Sequence, residues 1–295
     1  MNARAFVLAG AAAFAGPAAA VEFEPTIQVW KTEGKTTWNH NAQGANPAFG
    51  NPTSQLTYSG MTSDVIELGL TVRHLEWFGT VAIGTGSIDS GNLQDEDWLA
   101  GQVKFSDTNS AIRGDELHFW TLDAGRSLVW TQRTTLAAFI GIGQYYEVID
   151  AFGVSDNFTG VTTVPFSRRV ITNDATWSFF RIGLNGKVNP WAPLTLSVEA
   201  AYLPFVHLKS EDSHYLRSDL GPVPNIHMDG SGDGLMWQAE VRYTIFQGAS
   251  FFVGYRDWRF KADGDIRFGS SSQRLPLNNF ETTRSGYRIG FSYRF

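Results

Sequence analysis

The last twelve residues, Arg284 to Phe295, alternate strictly between two kinds of side chain. Tyr287, Ile289, Phe291, Tyr293 and Phe295 fall on one face, and Gly286, Arg288, Gly290, Ser292 and Arg294 on the other. A period of two residues is that of a β-strand with one apolar face. The same dyad recurs in Ile66-Leu68-Leu70-Val72 against Glu67-Gly69-Thr71-Arg73, in Trp237-Ala239-Val241-Tyr243-Ile245 against Gln238-Glu240-Arg242-Thr244, and in Val198-Ala200-Tyr202 against Ser197-Glu199-Ala201. A soluble sandwich would bury the apolar face. Here the polar face carries both signs of charge and much Gly, as a filled barrel lumen does, while the apolar face ends in aromatics, as the interfacial girdles of a membrane barrel do. The 22 Phe and ten Trp fit that reading, and no stretch after the N-terminus approaches the ~18 consecutive apolar residues of a spanning helix.

The pattern predicts an all-β, ten-stranded antiparallel transmembrane β-barrel of the bacterial outer membrane. Its strands lie near 24–40, 54–73, 77–94, 111–128, 132–150, 170–187, 194–212, 233–246, 249–265 and 279–295. Short connections at 74–76, 129–131, 188–193 and 247–248 alternate with long ones at 41–53, 95–110, 151–169, 213–232 and 266–278, matching short periplasmic turns and long extracellular loops. Residues 1–20 read as a secretory signal peptide: Arg4, an apolar stretch, then Ala18-Ala19-Ala20 as a small-residue cleavage site. The barrel domain then spans 21–295. With no Cys the exported chain has no disulfide staple, and a net charge of −6 argues against a nucleic-acid partner.

Two stretches carry candidate chemistry. Asp95-Glu96-Asp97-Trp98 falls where the third strand ends, in what reads as a solvated loop. Ser210-Glu211-Asp212-Ser213-His214-Tyr215 falls at the outer end of the seventh, nearly diametric in a ten-stranded ring. An imidazole oriented by a carboxylate can take a proton from water near neutral pH. Two further carboxylates opposite can hold that water or share a proton, since neighbouring like charges raise one pKa. Ser213, beside His214, leaves a serine nucleophile conceivable on sequence grounds.

These motifs resemble those of the omptins, outer-membrane endopeptidases in which an Asp-x-Asp-Trp motif faces an Asp-x-His-Tyr motif. Gly34-Lys35-Thr36, Ser54-Gln55-Leu56 and Gly91-Asn92-Leu93 extend the similarity over most of the chain. The resemblance implies a peptide or protein substrate, a monomer in outer-membrane lipid, and an active site facing outward. It implies Asp212 and His214 as the water-activating dyad, Asp95 and Asp97 as the opposing couple, and Glu96 as a bystander. No cofactor is implied beyond lipopolysaccharide as an activator, and Thr176 stands where a lipid-clasping Arg is expected. Trp38 and Ser210 occupy the positions of two acids of the omptin substrate pocket, with Glu33 and Glu211 close by in sequence. A Trp there suits an apolar or aromatic side chain instead of Arg or Lys.

Other residues have simpler readings. Glu67, Glu199, Glu240, Arg242, Arg256 and Arg288 fit a lumen-filling salt-bridge network, and His40, His74, His118 and His207 fit barrel or surface positions. The run from Asp229 to Glu240 matches a calcium-loop expression, but the alternation after Leu235 carries Glu240 away from Asp229. The rival functional classes are a catalytically silent adhesin, receptor or passive channel, and a different outer-membrane hydrolase acting on lipid A.

Overall fold

The computed structural model describes residues 20–269 and 271–295; the signal peptide expected over 1–20 lies outside them but for its last residue. The strands are β1 Glu22–His40, β2 Ser54–His74, β3 Trp77–Leu99, β4 Val103–Ile112, β5 Asp115–Trp130, β6 Thr134–Asp156, β7 Thr162–Trp191, β8 Leu194–His214, β9 Ile226–Phe246, β10 Ala249–Phe268 and β11 Leu275–Tyr293. All pair antiparallel, and β1 bonds to both β2 and β11, which closes the sheet into a ring. Eleven segments fill ten positions, because β4 and β5 each bond to β3 and β6 and together make the fourth stave. The break between them falls at Gly114, whose φ of 54° bends the chain.

Side chains such as Ile27, Val29, Ile66, Leu68, Ile83, Ile140, Ile182 and Ile289 are exposed on the outer wall and form an apolar belt around the half of the barrel that holds both termini. A bilayer covers such a belt. Towards the opposite, far end the outward positions turn polar, with Lys31, Glu33, Lys35 and Asp64 exposed on β1 and β2. The strands run on above the belt. β3 continues through Leu99 and β4 resumes at Val103, so the long loop expected over 95–110 is a turn at 100–102. Without lipid, the outer face of β3 and β4 here is largely polar (Asn92, Gln94, Glu96, Asp107, Asn109), while Leu93 and Ile112 still pack inward, so the alternation of an apolar outer face disappears. Its cross-strand ties are polar instead: Gln94 Nε2 donates to Asp107 Oδ1 (3.0 Å), and Lys104 bonds to both Glu96 and Asp107. Asp95-Glu96-Asp97-Trp98 is therefore barrel wall and not loop tip.

Inside the belt the lumen carries the expected ion pairs: Arg256 to Glu67 (2.6 Å), Arg181 to Glu199 (2.9 Å), Arg242 to Glu240 (2.9 Å) and Arg288 to Glu240 (3.1 Å). They line a cavity of about 980 Å³ towards the terminal end. Above it the lumen is packed with aromatic rings. Phe119 meets Trp258 at 4.7 Å, Tyr145 meets Phe260 at 5.4 Å, and Trp177 meets both Phe260 and Phe280 at 5.5 Å. Trp30, Tyr145, Trp177, Phe260 and Phe280 are fully buried, so this layer separates the cavity below from the far mouth. Residues 226–246 form one continuous strand, β9, which sets Asp229 and Glu240 far apart along an extended chain.

Candidate active site

Strand alternation turns residues 93, 95 and 97 of β3 inward, and Glu96 outward to Lys104. Asp95 is paired across from Leu56 on β2, and Asp97 from Ser54. On the opposite wall β8 turns Asp212 and His214 inward and Ser213 outward. Ser213 thus lies on the wrong face to serve as a nucleophile beside His214. Asp212 is wholly buried, and its Oδ2 is 3.5 Å from His214 Nε2.

Two asparagines that sequence reasoning did not single out hold Asp212 and His214. Asn173 on β7, paired with Asp212, donates from Nδ2 to Asp212 Oδ1 and to Ser210 Oγ (3.1 Å). Asn225, buried at the foot of β9, accepts from the His214 backbone N–H (2.9 Å) and donates from Nδ2 to the His214 carbonyl (3.2 Å). Its own backbone N–H donates to the Asp212 carbonyl (3.0 Å). Neither residue has a sequence signature, because each is brought to Asp212 and His214 by the pairing of neighbouring strands.

The two walls act on one another electrostatically. Burial pushes the Asp95 carboxyl up to about 7; Asp97 and Asp212 add repulsion, and His214 and Arg217 oppose it. Burial also raises Asp97, against hydrogen bonds from Ser54 and Ser106 and the charges of Arg217 and His214. Arg217, just beyond β8, is a further charged group on the site that sequence reasoning missed. Buried polar atoms without a hydrogen-bond partner gather at this level: Trp38 Nε1, His40 Nδ1, Tyr58 Oη, Asp95 Oδ1, Asn173 Oδ1, Asp212 Oδ2 and His214 Nε2. Such atoms are rare in folded proteins, so a cluster of them singles out this level of the lumen.

Asp95 should make the fold pay for the site, with a definite sign. Unfolded, the carboxyl loses its proton near 3.8; folded, it keeps it to about 7. The folded state binds more protons over that window, so stability falls as pH rises through it and levels off above about 7. Asp95→Asn removes this loss. At pH 8 the variant is expected to melt roughly 5 °C above the parent, with the gap closing towards pH 4. Thermal melts in detergent at both pH values check it; equal midpoints at pH 8 would show that Asp95 is not held under this strain.

Trp38 and Ser210 are both on the lumen face and buried, at 1% and 3% exposure. Trp38 is paired between Leu56 and Phe280, and Ser210 is paired with Met228. His40, beside Trp38 and 5.0 Å from the ring of Phe268, is held neutral by burial, which lowers it to about 4. Glu33 and Glu211 do not supply the missing acids. Both are exposed on the outer wall, where Glu211 Oε1 lies 3.6 Å from His227 Nδ1. The two pocket positions and their paired neighbours Leu56, Met228 and Phe280 are therefore uncharged.

No family model matches the chain, and no curated protein matches it. Among solved structures, that of the outer membrane protease OmpT from Escherichia coli superposes with a TM-score of 0.76 at 16% identity, over 93% of this chain and 97% of that one. The fold is an omptin-like outer-membrane barrel. The translocator domain of the autotransporter NalP from Neisseria meningitidis matches at a TM-score of 0.41 and 13% identity, over 92% and 88% of the two chains. The toluene transporter TbuX from Ralstonia pickettii matches at 0.31 and 10%, over 93% and 89%.

Proposed function

We propose that this chain is an outer-membrane endopeptidase that hydrolyses peptide bonds at the extracellular mouth of its barrel. A water between the walls would give its proton to His214, oriented by Asp212, and attack the scissile carbonyl carbon. The carbonyl π electrons move to oxygen, the tetrahedral species collapses, and the leaving nitrogen takes the proton back from His214. Asp95 and Asp97 hold the water and carry a shared proton, as paired carboxylates do. The observation that carries this reading is the meeting of unpartnered, buried Asp95 Oδ1, Asp212 Oδ2 and His214 Nε2 from facing walls in one electrostatic field.

The uncharged side chains of Trp38, Ser210, Met228 and Phe280 favour an apolar or aromatic side chain next to the cleaved bond, because none of the four offers a Lys or Arg a counter-charge of its own. The aromatic layer across the lumen speaks against a passive channel. The test is to refold residues 21–295 in detergent and offer a peptide library, with and without lipopolysaccharide as activator. Cleavage beside apolar residues is expected, and Asp97→Ala is expected to lower it about 100-fold or more. A library left intact under both conditions, or an Asp97→Ala barrel as fast as the parent, removes this assignment.

A further inference from the structure

Attack on a peptide carbonyl places a negative charge on its oxygen, and the four proposed groups offer little to meet it. Asp95 and Asp97 are committed to the water and their shared proton, Asp212 and His214 to the proton taken from that water, and an ionised carboxylate repels an oxyanion. We propose that Tyr58 is a catalytic residue of this site, its phenol O–H donating a hydrogen bond to the carbonyl oxygen as that oxygen becomes charged. The proposal rests on the endopeptidase reading above.

Tyr58 lies on β2, paired with Thr36 on β1 and Leu93 on β3. That register puts it two residues below Leu56, whose β3 partner is Asp95, on the same inward face. Its side chain is fully buried, and its hydroxyl has no hydrogen-bond partner. A buried hydroxyl left unbonded is costly, and Phe would fill the same space without that cost. The group thus has a use in the bound state that the free protein does not show. Asp212 on the far wall and Asp95 on the near one both act on the phenol, as does Glu147 below, so it lies within the field of both acid-bearing walls. Burial and both carboxylates raise its pKa well above the ordinary tyrosine value, which keeps the proton on the oxygen and available to donate. The Trp38 indole N–H lies beside the phenol oxygen, acting on its titration without hydrogen-bond geometry. It is placed to donate to the phenol oxygen when that oxygen donates onward.

Tyr58→Phe removes the donor and little else. Loss of one such donor lowers kcat by about 10²–10³. The expected result is a kcat reduced to that extent, a KM within about twofold of the parent and a thermal midpoint equal or higher. A phosphinic peptide, whose tetrahedral oxygens imitate the charged species, is expected to lose affinity in step with kcat/KM. Tyr58→His keeps a ring with an N–H and is expected to recover part of the rate; it also serves if the Phe variant fails to fold. Asp97→Ala is run alongside. If Asp97→Ala is inactive while folded Tyr58→Phe cleaves at the parental rate, the Tyr58 role is wrong and the peptidase reading stands. If both cleave normally, the reading falls and this role falls with it. A folded, inactive Tyr58→His barrel with unchanged phosphinic-peptide affinity would mark the tyrosine as packing only.

Discussion

His214→Ala, Asp212→Asn and the double variant are expected to show the same residual cleavage, about 10³–10⁴ below the parent. Groups that act as one unit fail together: once the imidazole is gone, the carboxylate has nothing to orient. Once the carboxylate is an amide, it no longer stabilises the imidazolium that forms as water is deprotonated. The structure makes the Asp212→Asn arm stringent. Asp212 is wholly buried 3.5 Å from His214 Nε2, and Asn173 donates to its other oxygen. An amide of the same shape preserves the packing while removing the charge. The barrel is therefore expected to fold, and stopped-assay rates on one library-derived peptide decide the matter. Losses that multiply in the double variant would mean that the two residues act independently. Cleavage that survives His214→Ala at near-parental rate would falsify the dyad.

The alternation of residues 284–295 and its repeats contained the barrel, its closure and its lumen, because lipid on one side and packed polar groups on the other impose a period of two. Where lipid ends, that signal ends too. The wall above the belt was hidden for this reason: β3, β4, β6 and β7 continue there as hairpins without an apolar belt on their outer face, and Asp95 and Asp97 belong to a strand. Sequence order could bring Asp95, Asp97, Asp212 and His214 to one mouth. It could not show that Ser213 turns away from His214, or that Glu33 and Glu211 face outward, since each depends on the phase of a strand at its end. Asn173, Asn225, Tyr58 and Arg217 were illegible for a related reason. Their meaning lies in cross-strand register, and Asn225 reaches Asp212 and His214 only because β9 begins where β8 ends.

Beneath the site, Arg284 and Glu147 form an ion pair of 3.1 Å, at 1% and 0% side-chain exposure. Arg284 Nε donates to Tyr145 Oη (2.8 Å) and Nη1 to Ser63 Oγ (3.0 Å), while Tyr145 and Thr36 each donate to Glu147 at 2.7 Å. One guanidinium thus ties β11 to β2 and β6 across the lumen. A Cβ at Gly34 would sit 2.7 Å from its Cζ, so the neighbouring strand carries no side chain there. Removing one partner leaves a buried charge alone, at a cost of about 3–5 kcal/mol. Arg284→Met is expected to lower the unfolding free energy of the detergent-held barrel by that amount, and Glu147→Leu similarly. The double variant is expected to be no worse than either single one, because it buries no unpaired charge; neutral replacement of a whole pair is often tolerated. Urea titrations followed by tryptophan fluorescence give the cycle. A double variant whose loss equals the sum of the two single losses would show that the charges do not act on each other, and that the floor of the mouth is held by its rings alone.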